Sequence, residues 1–265
     1  MKPAGVITLL TDFGLSEPFV GQLRGVILTR GPQLQIIDLT HGVPPHDVAL
    51  GAFWLERSYR YFPAGSVHVA VVDPGVGSER RAIVARAEGH LFVAPDNGLL
   101  SGVLGDEAEV WCVDPGRLGI VTLSRTFHGR DLFAPVAAEL ALGRVMPDAV
   151  GGRHRAVRLD IQRAILRGEA LLGAVIFADH FGNLVTNIDA AALARLGAKD
   201  TLEVELGSRR VPLRGTYSDV EPGELVAVVS SFDTVEIACR EGRADQVTAT
   251  SRGAPVRVTS RVGLR

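Results

Sequence analysis

The run Val71-Val72-Asp73-Pro74-Gly75-Val76-Gly77-Ser78-Glu79-Arg80-Arg81 releases an acid from an apolar strand into a glycine-bearing loop that then turns basic. A carboxylate at the carboxyl end of a parallel strand lies beside the crevice where open α/β sheets bind ligands. Gly75 and Gly77 permit close backbone approach. The same acid can instead cap its own loop by accepting from the amides that follow, and residue type alone leaves both roles open. Three more acids end strand-like runs: Asp12 in Thr11-Asp12-Phe13-Gly14, Asp38, and Asp96 in Pro95-Asp96-Asn97-Gly98. Asp12 is the better ligand candidate, because a carboxylate beside a ribose accepts from both hydroxyls. Asp96 is expected to shape a tight turn with Asn97 and Gly98, and Asp38 to hold the loop Leu39-Thr40-His41-Gly42. His128, in Thr126-Phe127-His128-Gly129-Arg130-Asp131, has an ordinary pKa of about 6.5 and can orient or shuttle a proton, or simply pack locally. Asp12, Asp73, Asp96 and His128 together offer a rival chemistry, a divalent-metal hydrolase site.

The elements that must position these groups follow from hydrophobic periodicity. Residues 67–72 are nearly continuous in β-branched side chains, the pattern of a strand covered on both faces. Strand patterns also occupy 6–10, 34–39, 82–86 and 91–94. Helical spacing runs through Phe19, Val20, Leu23, Val26 and Ile27, through Val48, Ala52, Leu55 and Tyr59 after a capping Asp47, and through Leu132, Phe133, Val136 and Leu140 before Gly143. From about residue 158 the texture changes. Strand-like runs at 171–177, 202–206, 224–229, 235–239 and 256–259, with one helical stretch at 190–196, predict a small antiparallel barrel or sandwich. The expected organisation is an α/β domain with a mostly parallel central sheet over 1–157 and a C-terminal antiparallel β-barrel domain over 158–265. The polar stretch Gly151-Gly152-Arg153-His154-Arg155 reads as the connection, or equally as a basic surface loop inside one domain.

Composition bounds the partners. The 265 residues carry 28 Lys+Arg against 30 Asp+Glu, a net charge of −2, so no basic field points to nucleic acid or anionic membrane. The start Met1-Lys2-Pro3-Ala4-Gly5 runs directly into a strand, and a cytoplasmic location is expected. Cys112 and Cys239 lack zinc or redox spacing and read as buried thiols. His90 and His154 read as polar-loop residues.

Five ordered motifs carry a family resemblance over nearly the whole chain: Leu10-Thr11-Asp12-Phe13-Gly14, Val72 through Arg80, Ala94-Pro95-Asp96-Asn97-Gly98, Phe127-His128-Gly129-Arg130-Asp131, and Asp179-His180-Phe181-Gly182-Asn183-Leu184-Val185-Thr186-Asn187. The sequence resembles the S-adenosylmethionine hydroxide adenosyltransferases, also called S-adenosylmethionine hydrolases, relatives of fluorinase and chlorinase. The resemblance implies a water-activating trio of Asp73, Arg80 and His128. It implies that Asp12 holds the ribose diol, that Asp179 and Ser231 hold the methionine end, and that Phe181 and Asn183 line the adenosyl site. It implies no cofactor and no metal, with S-adenosylmethionine as substrate, and a homotrimer whose sites form between the N-domain of one subunit and the C-domain of its neighbour. The chain departs from the family at Asp233, where glycine is usual, and around Phe232 and Arg240.

The implied reaction is hydrolysis to adenosine and L-methionine. A sulfonium leaves as a neutral thioether and needs no acid, so the task is to place water in line behind the C5′–S bond. Asp73 and His128 are expected to accept hydrogen bonds from that water, with Arg80 fixing the carboxylate through its planar fork. An Asp carboxylate would repel halide, which argues against an adenosyl halide synthase. A sensor that binds S-adenosylmethionine or a nucleotide without turnover is the rival from another class.

Overall fold

The structure is a computed structural model that describes residues 1–120, 124–198 and 201–260. The chain divides into two compact units, Met1–Asp160 and Ile161–Arg265.

The first unit is built on a six-stranded sheet of β1 (Val6–Thr11), β2 (Gln35–Thr40), β3 (Val67–Val71), β4 (Ala82–Ala87), β5 (His90–Pro95) and β6 (Glu109–Cys112), ordered β2-β1-β3-β5-β4-β6. The β1–β2, β1–β3 and β3–β5 pairs are parallel, while β4 runs antiparallel to both β5 and β6. The expected largely parallel sheet is therefore present, with an antiparallel edge. Every residue of β1, β3 and β5 is buried, because apolar clusters cover both faces. One cluster joins Ile7, Leu9 and Val69 to Leu23, Ile27, Phe133 and Val136, from α1 (Phe19–Arg30), α3 (Ala134–Ala141) and the turn that precedes α3. The other joins Leu10, Ala70 and Phe92 to Leu55 and Tyr59, at the end of α2 (Val48–Ser58). Asp47 caps α2 as its position predicts, its Oδ1 accepting from the Leu50 amide at 3.0 Å.

Of the two readings of the arginine-rich stretch 151–155, the loop inside one domain is the one found, since it lies within the first unit. Arg153 bridges to Trp111, with its guanidinium 4.6 Å from the indole centroid, and His154 Nε2 lies 2.7 Å from Asp96 Oδ2. His90 opens β5 instead of lying in a polar loop. It is buried, and its Nδ1 lies 3.0 Å from His68 Nε2, while His68 Nδ1 meets Thr8 Oγ1 at 2.7 Å.

The second unit is an antiparallel sheet that nearly closes into a barrel. It comprises β7 (Ile165–Arg167), β8 (Ala170–Ala178), β9 (Leu184–Asp189), β10 (Leu202–Leu206), β11 (Arg209–Pro212), β12 (Leu225–Val229), β13 (Thr234–Cys239) and β14 (Pro255–Ser260). The order is β11-β10-β14-β8-β9-β13-β12, with β7 on β8, and a bridge from Leu213 to Ala227 draws the two ends together. Two short helices, α4 (Ala190–Ala194) and α5 (Ala244–Thr248), lie between strands. The interior holds Leu184, Ile188, Val204, Val235, Ile237 and Val258. Cys239 is buried as expected, but Cys112 is only half-buried and lies 3.6 Å from Arg81 Nη1.

Candidate active site

Asp73 stands two residues beyond β3. The loop after it folds back through turns closed by Val76 N to Asp73 O at 3.2 Å and Ser78 N to Gly75 O at 3.1 Å, which returns Arg80 to the acid. Arg80 grips the carboxylate with two donors. Its Nε donates to Asp73 Oδ1 at 2.8 Å and its Nη2 to Oδ2. Glycine is required in this loop for steric reasons. Gly77 has φ +79° and its backbone lies so near Arg125 that a Cβ would stand 2.3 Å from that carbonyl oxygen; a Cβ on Gly75 would stand 3.2 Å from Arg80 Cγ. The strand end is tied from the side as well, since Asn97 Nδ2 donates to the Val72 carbonyl at 2.8 Å.

His128 completes the group. Arg80 Nη2 lies 2.7 Å from His128 Nδ1. A guanidinium has no acceptor, so Nδ1 must be the unprotonated nitrogen and the neutral ring carries its hydrogen on Nε2. Burial first, and then the Arg80 charge, push the His128 pKa below its ordinary value, which keeps this tautomer at neutral pH. The expectation that His128 accepts from water is therefore reversed, because the free nitrogen is a donor. His128 immediately precedes a π-helical turn, Gly129–Phe133, at the start of α3. Such turns occur often at functional sites, and this one brings the Phe133 ring beneath Arg80, 5.3 Å from guanidinium carbon to centroid. Asp131 secures the preceding loop by accepting from the Ser124 amide at 2.8 Å and from Arg130 Nε at 2.6 Å.

The other strand-end acids separate by partner. Asp12 Oδ2 accepts from the His46 amide at 2.9 Å, and the residue is half-buried. Asp96 accepts from the Val157 amide at 2.8 Å and meets His154, so it anchors the chain after β6 rather than only shaping its own turn. Asp38 is paired with Arg24 and lies 3.2 Å from His41 Nε2. Among the described residues, no group of three or more His, Cys, Asp or Glu side chains is placed to hold a metal ion. The combination of Asp12, Asp73, Asp96 and His128 does not form one, because Arg80 and His154 already engage two of its acids.

In the second unit, Asp179 and Asn183 close the hairpin between β8 and β9. Asp179 Oδ1 accepts from the amides of Phe181 and Asn183 at 2.9 and 2.8 Å, and Oδ2 from Asn183 Nδ2 at 3.0 Å. This leaves the Phe181 ring 70% exposed, against the edge of His180. Ser231 is exposed on the turn between β12 and β13, which the Asp233 amide closes on the Ser230 carbonyl at 2.9 Å. Phe133, which reads only as part of a helical stripe, and Tyr217 and Glu236 carry no site signal in the sequence. Glu236 alternates with apolar neighbours along β13, a pattern that reads as solvent-facing, yet it is 3% exposed and accepts from Tyr217 Oη at 2.8 Å.

A strand-end carboxylate gripped by an arginine that also holds a neutral histidine is suited to ordering one small nucleophile. Carried on a largely parallel sheet in a chain whose second unit is barrel-like, it defines a class of α/β enzyme that orders a small nucleophile. Residues 7–151 match the SAM hydroxide adenosyltransferase N-terminal domain and residues 173–257 its C-terminal domain, and the chain belongs to that family. It is 40% identical over 267 residues to an (R)-S-adenosyl-L-methionine hydrolase of Salinispora tropica, covering 98% of this chain and 100% of that protein. The corresponding enzyme of Thermus thermophilus is 36% identical, covering 97% and 100%, while a fluorinase of Nocardia brasiliensis is more distant at 29%, covering 88% and 89%. A crystal structure of an uncharacterized conserved protein from Thermotoga maritima has a TM-score of 0.87 at 34% identity, covering 96% of this chain and 99% of that one.

Proposed function

We propose that this protein hydrolyses S-adenosyl-L-methionine to adenosine and L-methionine. The observation that carries the reading is the contact of Arg80 Nη2 with His128 Nδ1 at 2.7 Å beside the doubly gripped Asp73. It supplies the two kinds of hydrogen-bonding group that a water nucleophile needs. The Asp73 carboxylate accepts one water hydrogen, and His128 Nε2–H donates to one oxygen lone pair. The second lone pair is then aimed at C5′. As the O–C5′ bond forms, the C5′–S bond breaks and its electron pair leaves on sulfur, giving the neutral thioether of methionine. The water proton passes to Asp73 and then to solvent. Holding the reactants in line is the main source of acceleration, because the leaving group needs no assistance. The positive charge of Arg80 favours hydroxide character in the attacking oxygen, and a negative carboxylate at the same point disfavours halide.

Asp12 is assigned to the ribose diol, Asp179 and Ser231 to the methionine end, and Phe181 and Asn183 to the adenosyl group. The exposed Phe181 ring and the half-buried Asp179 and Asn183 support these roles. The reading extends to a cytoplasmic homotrimer that needs no cofactor and binds neither nucleic acid nor membrane. The net charge of −2 supports the lack of a nucleic-acid partner, and among the described residues no helix is long and apolar enough to cross a membrane. Sedimentation tests the trimer.

The reaction is tested by incubating the protein with S-adenosylmethionine, with and without chelator, and separating adenosine from substrate. Adenosine and methionine should appear in equal amounts, without added metal and without dependence on chloride. Tight binding with no adenosine overturns the hydrolase reading, and strict dependence on a divalent ion overturns the mechanism.

A further inference from the structure

The buried carboxylate of Glu236 has no role in the chemistry at Asp73, and its surroundings are unusual. Strand pairing places it. Glu236 sits opposite Val228 on β12 and Val185 on β9, and Val185 sits opposite Phe177 on β8. Paired residues share a face, and alternate residues along a strand return to it. Ser230 is two residues beyond Val228, and Asp179 is two beyond Phe177. Glu236 therefore lies on the face of the sheet that leads to Ser230, the chain neighbour of Ser231, and to Asp179. That face is opposite the barrel interior, where Val235 and Ile237 point. It is covered by the segment carrying Tyr217, a short helical turn locked by a reciprocal Thr216–Asp219 capping box.

A carboxylate taken out of water needs strong donors or a cation. Glu236 has hydroxyl partners, Tyr217 and Ser230, and among the described residues no lysine or arginine forms an ion pair with it. The adjacent charge is another acid, Asp179, and together with burial it raises the pKa of Glu236 above the ordinary carboxylate range. The same environment raises that of Tyr217. A cation placed beside these two acids would hold Glu236 in its charged form, so the surroundings suit a positively charged ligand group. Ser230 links these surroundings to the turn bearing Ser231, since Ser230 Oγ also accepts from the Phe232 amide at 3.3 Å.

We propose that Glu236, oriented by Tyr217, is a specificity-determining positioning residue for the ammonium group of the amino-acid end of the ligand. It acts through its charge and through the hydroxyls it holds, behind Asp179, rather than by direct contact. The inference rests on the assignment of Asp179 and Ser231 to the methionine end.

The test compares the intact protein with Glu236→Gln and Tyr217→Phe. Each is assayed for hydrolysis of S-adenosylmethionine and for inhibition by L-methionine and by its desamino analogue, 4-(methylsulfanyl)butanoate. Glu236→Gln should raise KM and the inhibition constant of L-methionine by about ten-fold, the effect of removing one nearby charge, and leave kcat and the desamino inhibition constant within about two-fold. Tyr217→Phe should give a smaller shift of the same pattern. Equal weakening of both inhibitors overturns the proposal in favour of a structural role, and so does an unchanged L-methionine constant. If Glu236→Gln does not fold, Tyr217→Phe alone decides by the same ratio of inhibitors. If the wild-type protein releases no adenosine, direct binding of the two methionine compounds still reads the preference for the amine, so the two failures remain distinct.

Discussion

Arg80 Nη2 meets His128 Nδ1 at 2.7 Å while the same guanidinium holds Asp73, and this contact determines the tautomer of the imidazole. Because arginine only donates, the ring must accept at Nδ1 and can only donate at Nε2. Its task at the water is therefore that of a donor. In Gln the side-chain amide nitrogen reaches the Nε2 position, whereas in Asn it reaches that of Nδ1. His128→Ala should lower kcat by about 10²-fold, and His128→Gln should recover more of it than His128→Asn. Initial-rate measurements on the three variants check this, and better recovery by Asn would contradict the assigned tautomer.

Arg80 makes three directional contacts and also lies over the Phe133 ring. A lysine keeps the charge but offers a single point donor in place of the fork. Arg80→Lys should reduce kcat by about 10²-fold with little change in KM. A variant as active as wild type would mean that charge alone, and not geometry, is what the arginine supplies.

Acid should inactivate and destabilise the protein through its histidines. Protonating His128 replaces its acceptor with a second donor facing Arg80. Its pKa is below 6.5, so the acid limb of kcat should lie below that value. The sign for stability follows from the depressed histidines. Burial holds His41 at about 4 and His68 at about 3, so between pH 6.5 and those values the unfolded chain binds protons that the folded chain does not. Their contribution is complete above pH 6.5 and falls by about 1.4 kcal/mol per pH unit per histidine through that window. Urea melts at pH 7, 5.5 and 4.5 should show this decline, and His68→Asn should flatten it. A stability independent of pH over that range would refute the neutral, buried state of both rings.

The parts of the site legible in the sequence were those governed by local pattern. Asp73 follows an apolar run whose burial on both faces is a period-two signal, and Asp47 precedes a 3.6-period stripe, so each could be placed from its neighbours. The contact of Arg80 with His128 spans 48 residues and leaves no periodic trace; only the ordered motifs of the family linked the two. His154 does lie in a polar loop, but its partner Asp96 is 58 residues away and leaves no local trace. Glu236 shows the limit of strand alternation. A polar residue between apolar ones reads as exposed, and only the covering segment around Tyr217, distant in sequence, buries it.

The resemblance implies a glycine where this chain has Asp233, and the backbone there suits one. It has φ +58°, a left-handed conformation in which an L side chain crowds the following carbonyl. The residue cannot relax out of it, because its amide closes the turn on Ser230 O at 2.9 Å and its carbonyl accepts from Ala190 at 3.0 Å, tying β13 to the start of α4. Aspartate tolerates this region better than most residues, so the strain is modest. Asp233→Gly should stabilise the folded state by up to about 1 kcal/mol, the gain from released strain being offset in part by the greater freedom of glycine in the unfolded chain. Because both contacts use backbone groups, the turn that presents Ser231 should keep its geometry and KM for S-adenosylmethionine should be unchanged. Denaturant melts and steady-state kinetics on the one variant check both statements. A loss of stability would mean that the Asp233 side chain contributes more to the turn than its backbone costs.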